Sequence, residues 1–424
     1  MTQATQTTRS IQDTARAART ASRAVADMPG DVRNQVLQDL AERIDANRAE
    51  LLEANAIDMR EAEAAGVDTP KLRRLELADA GLTQLCDGLR QIAALPDPVG
   101  AVTQSYKVPS GLDVEKVRTP LGVIAMIYEA RPGVTIDAFA LCFKSGNACL
   151  LKGGKEAANS NAALAELAKA SLRSQGAPED AIQVITSSSR DELRQMLTLS
   201  EDIDLVIPRG GEALIRFVHE HSRIPTIQHF KGVCHVYVDR LADLDKAIEI
   251  VVTGKTSAPA TCNTTECVLI HRDIADQFVP RLAKRCAEAG VEIRGDEGVR
   301  ERAGEQNHVK QATDTDWGSE YLDLILAAKV VDSMDDAVAH IAAHTSDHTE
   351  AIVTEDQPTS KEFCARVRSS CVLVNASTRY NDGYQLGLGA ELGISTSRLH
   401  AYGPMGLEGL TIERFVVRGD GQTR

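Results

Sequence analysis

Among the residues of this chain that can do covalent chemistry, Cys262 has the most suggestive surroundings. It lies in Ser257-Ala258-Pro259-Ala260-Thr261-Cys262-Asn263-Thr264-Thr265-Glu266, a loop-like stretch running into an apolar strand. A thiol in such a turn is accessible, and the backbone N–H groups around Asn263 can stabilise a thiolate or an oxyanion. The competing reading is a small buried hydrophobe, the commoner fate of a lone cysteine. Cys267, alternating into Glu-Cys-Val-Leu-Ile, fits that second reading better. Arg209-Gly210-Gly211 stands between a strand pattern and a helix pattern, where a helix N-terminus suits a pyrophosphate. A single Gly-Gly pair also occurs in plain turns. His340, His344 and His348 recur at four-residue spacing, as metal-binding histidines do on one helix face. Thr345-Ser346-Asp347 reads as a helix end, however, so the third histidine leaves that face and no metal site is expected. His219-Glu220-His221 reads as an exposed helix end.

These groups need elements to hold them. The first hundred residues carry apolar positions at three- and four-residue spacing, as in Val36-Leu37-Leu40-Ile44, and predict helices ended by Pro96 and Pro98. Residues 105–118 alternate at Leu112, Val114 and Val117 and predict a hairpin. Residues 121–127 form an unbroken apolar run, the mark of a strand buried on both faces. Helix and strand patterns then alternate through residue 221, with strands at 148–152, 182–186 and 205–208, which predicts a doubly wound α/β unit. A second α/β region begins near His235. Gly- and Pro-rich residues 387–409 and a short alternating piece, 410–417, close the chain.

The chain has 424 residues, and a prior of about 150 per domain predicts two or three domains. A formal charge of −14 argues against a nucleic-acid or anionic-membrane surface. Nine cysteines spread over the chain do not look like a disulfide framework, and a reducing, cytoplasmic setting is expected. No apolar run approaches the ~20 residues a membrane helix needs. The Ser/Thr/Ala/Arg-rich stretch from Thr2 to Arg23 superficially resembles a transit peptide, but its helical periodicity continues to Ile44 and predicts a surface helix instead.

Several blocks carry a family resemblance. Residues 118–132 and 144–154 look like the cofactor half of the aldehyde dehydrogenase superfamily. Tyr128-Glu-Ala-Arg-Pro132, Cys262-Asn-Thr-Thr-Glu266, His344-Thr-Ser-Asp-His-Thr-Glu-Ala-Ile352 and Gly387-Leu-Gly-Ala-Glu-Leu-Gly-Ile-Ser-Thr396 resemble its gamma-glutamyl phosphate reductases more closely. Asn375-Ala-Ser-Thr-Arg379 and Gly403-Pro-Met-Gly-Leu-Glu408 also match, so the resemblance covers roughly residues 10–417 in order. It implies an α/β, aldehyde dehydrogenase-like fold with two doubly wound domains and a small β oligomerisation arm. On that pattern, 1–104 with 119–234 bind the cofactor and 235–385 form the catalytic domain. Residues 105–118 and 386–424 form the arm and C-terminal return.

The resemblance also implies roles. Cys262 attacks an acyl phosphate, expels phosphate and forms a thioester that a nicotinamide reduces to the aldehyde; its backbone N–H is one oxyanion donor. The implied reaction is NADPH-dependent reduction of L-glutamyl 5-phosphate to L-glutamate 5-semialdehyde in proline biosynthesis, by a homo-oligomer. Glutamate 5-kinase, which makes the unstable substrate, is the protein partner to look for. Lys152 matches the lysine that reaches the adenosine ribose, and Glu320 the carboxylate on the nicotinamide ribose. Lys155 stands where NAD-dependent relatives place a glutamate, which favours a 2′-phosphate and hence NADPH. Arg209, Gly210 and Gly211 complete the expected cofactor set. Arg131 and Arg379 are candidates for the substrate's anionic groups, and Asn375 and Ser377 for its amino-acid end. Two departures stand out. Gln228 takes the place of the glutamate that activates water in hydrolytic aldehyde dehydrogenases, and glutamine is no general base near neutral pH. Ala130 replaces the asparagine that donates to the oxyanion in those enzymes, which leaves the second donor open. The rivals are a hydrolytic or acyl-CoA-linked dehydrogenase, and a non-enzymatic protein that keeps the fold.

Overall fold

The apolar run after Leu121 becomes the strand Val123–Tyr128, every residue of which is buried. A computed structural model describes residues 9–187, 189–304 and 309–423, and gives this strand parallel neighbours on both sides, Ala148–Lys152 and Leu205–Arg209. Ile182–Val184 completes a four-stranded sheet. Side chains alternate between faces along a strand. Ile124, Met126 and Tyr128 thus join Phe139 and Phe143 of the helix Gly133–Lys144. Val123, Ala125 and Ile127 join Ala15 and Ala18 of the helix Ile11–Ala26 on the opposite face. With both faces covered by helices, no position in the run can be polar. The first two connections extend the sheet one way, and the third places Leu205–Arg209 on the other side of Val123–Tyr128. Reversal of strand order opens a crevice at the C-terminal ends of those two strands.

A second sheet has seven parallel strands, with Thr265–His271 near its centre between Ile325–Val331 and Cys234–Val238. Val268 and Ile270 pack with Val251 and Phe278 on one face. Cys267 and Leu269 pack with Ile341 and Phe363 on the other. A third, antiparallel sheet pairs Val102–Lys107 with Asp113–Pro120 and that strand with Thr411–Arg418 near the C-terminus. Tyr106, Ile412, Phe415 and Val417 on this small sheet are exposed. Among the described residues, no helix is long and apolar enough to cross a membrane.

The turn carrying Cys262 joins the helix Leu244–Thr256 to the central strand Thr265–His271. Its two ends are tied by one contact. Lys255 Nζ donates to Glu266 Oε2 at 2.6 Å, and both side chains are fully buried. Burial pushes the Glu266 carboxyl up to about 7 and the Lys255 ammonium down, while each charge pulls its partner back. Removing one partner leaves the other charge buried and alone, which costs about 3–5 kcal/mol. Lys255→Met or Glu266→Leu alone should therefore lower the midpoint of urea unfolding, and the double variant should recover most of the loss. Additive losses in the double variant would show that the pair does not act as a unit.

Candidate active site

Cys262 sits at the N-terminal edge of the seven-stranded sheet and faces the crevice at the C-terminal ends of the four-stranded one. Between them lies a cavity of about 580 Å³, walled by Glu129, Arg131 and Arg209 on one side and by His229, Cys262 and Glu320 on the other. Side-chain bonds fix the Cys262 turn. Thr261 Oγ1 donates to Ala258 O at 2.8 Å and accepts from Arg379 Nη1 at 2.7 Å. Asn263 is buried and its Nδ2 donates to Asn381 O at 3.0 Å, so its side chain anchors the turn rather than entering the cavity. Gly232 lies flat against the Cys262 backbone, where any Cβ would collide with it. The Gly232 N–H donates to Glu320 Oε1 at 2.9 Å, which brings that carboxylate to the thiol's side of the cleft.

On the opposite wall the chain leaves the strand Val123–Tyr128 through a kink. Ala130 has φ +40°, a left-handed conformation that costs a residue with a Cβ free energy. Its N–H donates to Glu156 Oε1 at 2.7 Å, which holds the kink in place. The residues on either side, Glu129 and Arg131, both reach the cavity. Glu129 Oε2 accepts the N–H of Gly211 at 3.1 Å, at the start of the helix Glu212–His221. An anionic oxygen thus already occupies the helix N-terminus that the sequence offers to a pyrophosphate.

The electrostatics centre on the thiol. Burial pushes Cys262 up to about 11; Arg209 pulls it back, while Glu320 and Glu391 push it further up. Arg209 ends its strand with its guanidinium turned toward the thiol's neighbourhood, acting also on His229 and Glu391. His229 Nδ1 is 2.8 Å from Ile394 O, and a carbonyl can only accept, so Nδ1 carries the proton and Nε2 keeps its lone pair. Burial and Arg209 push His229 down to about 4. Burial, with Arg209 and Arg74 nearby, pushes the Arg131 guanidinium down to about 10. An adjoining cavity of about 310 Å³ shares Arg74 and Arg131 and is lined by Asp137, whose carboxyl burial pushes up to about 6.

Of the residues singled out from the sequence, Arg131, Arg209, Gly210, Gly211, Cys262 and Glu320 line the main cavity. Lys152 lies at the end of its strand, its Nζ donating to Ser187 O at 2.7 Å, and Lys155 is exposed three residues on. Asn375 spends both ends of its amide on the backbone of Thr354, and Ser377 Oγ accepts the N–H of Arg379. Arg379 reaches Thr261, one residue short of Cys262. Gln228 is buried with its Nε2 3.0 Å from His219 Nδ1 and is not part of the cavity wall; His229 is. Sequence reasoning assigned nothing to Glu391, Gly232 or Asp137. Gly232 carried a signal, since a glycine beside a strand start marks close backbone approach.

A family model described as the aldehyde dehydrogenase family matches residues 1–301. The chain belongs to that family. Within it, the chain groups with the gamma-glutamyl phosphate reductases, in line with the motif resemblance. A gamma-glutamyl phosphate reductase of Geobacter metallireducens is 50% identical over 414 residues, spanning 98% of both chains. One from Xanthomonas axonopodis pv. citri is 48% identical over 406 residues, covering 96% of this chain and 97% of that one. The crystal structure of the Thermotoga maritima gamma-glutamyl phosphate reductase superposes with a TM-score of 0.95 at 40% identity, covering 98% of this chain and 100% of that chain. The chain is thus an oxidoreductase with an aldehyde dehydrogenase-like α/β fold, acting on a small molecule.

A thiol held near 11 is protonated at neutral pH, so its alkylation by iodoacetamide should accelerate about tenfold per pH unit from 7 to 10. Arg209→Gln removes the cation and should slow the reaction at fixed pH; Glu391→Gln removes an anion and should speed it. A rate already level at pH 7 would contradict this charge balance.

Proposed function

We propose that this chain reduces L-glutamyl 5-phosphate to L-glutamate 5-semialdehyde and phosphate in proline biosynthesis, with NADPH as reductant and a thioester on Cys262. The observation that carries the reading is the full-length likeness to reductases of that name, with Cys262 placed at a cavity rimmed by Arg131 and Arg209. Those guanidiniums suit an acyl phosphate and a carboxylate. Asp137 in the adjoining cavity suits the substrate's ammonium. In the first step the Cys262 sulfur forms a bond to the acyl carbon, the C–O bond to phosphate breaks, and His229 Nε2 takes the thiol proton. Burial holds His229 down most, and a phosphate seated on Arg209 offsets the smaller part due to that cation, so the arriving substrate strengthens the base that activates its attacker. The Cys262 N–H, which already faces its own sulfur, is one oxyanion donor.

The cleft fits a nicotinamide dinucleotide. A pyrophosphate at the Gly210-Gly211 turn has to displace the Glu129 carboxylate from the Gly211 N–H; Glu320 is held beside the thiol by Gly232, and Lys152 has donors to spare beyond Ser187. When bound, the reduced nicotinamide supplies the hydride that reduces the acyl group on sulfur. Cys262 then leaves as thiolate and recovers its proton from His229. Lys155, exposed and without an ion pair among the described residues, suits a 2′-phosphate. Gln228, turned to His219, has no proton-accepting capacity to offer water, so the thioester survives until reduction.

Run in reverse with semialdehyde, phosphate and NADP, the enzyme should reduce NADP only when phosphate is present. Cys262→Ser should abolish this, Asp137→Asn should raise KM for the semialdehyde more than tenfold, and Lys155→Glu should shift preference toward NAD. Turnover without phosphate would overturn the assignment.

We infer in addition that the chain is a homo-oligomer. Among the described residues, Val102–Lys107 is an edge strand with no partner on its outer side, and the small sheet it belongs to exposes Tyr106, Phe415 and Val417. Such an edge is a liability for a monomer and a ready site for a second copy. Sedimentation above the 45.7 kDa of one chain at micromolar concentration is expected; a monomer there would refute the inference.

A further inference from the structure

We propose that Cys262, His229 and His348 form a binding site for a soft divalent cation, zinc above all, that captures the nucleophile while the cleft is free of substrate. One ligand-capable atom from each of the three lies within 4.8 Å of the other two. Tetrahedral zinc with one thiolate and two imidazoles sets its donors about 3.4–3.6 Å apart. Binding therefore draws the three donors inward on the ion, through the Cys262 side chain and both imidazole rings.

Each ligand is prepared independently. His229 gives its Nδ1 proton to Ile394 O, the outer contact that fixes a metal-binding tautomer and frees Nε2. His348 is fully buried and its Nε2 has no hydrogen-bond partner among the described residues, an unsatisfied nitrogen beside the Cys262 thiol. Its Nδ1 lies 2.7 Å from Thr349 Oγ1, which can accept the proton. The two rings meet edge to face, centroids 5.4 Å apart, so their nitrogens converge without stacking. Both imidazoles are held uncharged by burial, His229 near 4 and His348 near 3. Thiolate and imidazole together select zinc or copper(I) over magnesium or calcium.

Binding involves no redox change. The Cys262 S–H bond breaks, its proton goes to solvent, the sulfur–metal bond forms, and water in the cavity takes the fourth position. A sulfur so engaged cannot attack an acyl phosphate. That inhibition rests on Cys262 being the nucleophile; the site itself does not.

Cobalt(II) is the probe and zinc the competitor, added to the enzyme without nucleotide or phosphate. A Cys364→Ser parent keeps the exposed thiol of Cys364 out of the measurement. One equivalent of cobalt should give a thiolate-to-cobalt band in the near ultraviolet with tetrahedral visible bands, displaced by one equivalent of zinc. Cys262→Ser should abolish the near-ultraviolet band, and His229→Gln and His348→Gln should each weaken binding tenfold or more. His229, on the cavity wall, is the check should replacing the buried His348 disturb folding. A band that survives Cys262→Ser, or affinity unchanged by His229→Gln, would overturn the site. Cobalt bound on Cys262 with activity intact would support the site and overturn the thioester step instead.

Discussion

The Lys255–Glu266 ion pair is the contact on which the site's geometry depends. It joins the last turn of one helix to the second residue of the central strand, and everything between the two is the turn that carries Cys262. A buried pair of this kind adds little net stability, because two desolvated charges offset most of their own attraction. What it supplies is direction: the helix end and strand start cannot slide without separating opposite charges in an apolar interior. Thr261, Arg379 and Asn263 then refine a position already set.

Around that turn the charges are balanced rather than stacked in one direction. Arg209 favours the thiolate, and Glu320 and Glu391 oppose it. These groups come from three distant parts of the chain and meet only because a crevice at a strand-order reversal faces the edge of the second sheet. Arg131 and Arg209 face the same space as Cys262, so an anionic ligand entering the cleft changes the balance at sulfur and at His229 together. Recognition and activation thereby become one electrostatic event.

The scaffold was largely legible in the sequence. An unbroken apolar run has few homes other than a strand covered on both faces, and Val123–Tyr128 is such a strand. Cys262 stood out only through several blocks in order, since a cysteine alone is as consistent with packing, which is what Cys267 does. Spacing could not give side-chain direction at element ends. Arg209 reads as a neighbour of a pyrophosphate turn, yet its guanidinium acts on the thiol. Asn375 reads as a free hydrogen-bonding group, yet its own backbone neighbourhood uses it fully. His348 leaves the helix face it shares in spacing with His340 and His344 and joins Cys262, a partner 86 positions away that no local pattern announces.

The resting state of the thiol has a consequence for the enzyme's durability. Peroxides and other mild oxidants attack the thiolate, and the sulfenic acid they form is the first rung of a ladder that ends irreversibly. A thiol kept protonated by burial offers them almost nothing to react with. Between turnovers, the desolvation that slows Cys262 also preserves it.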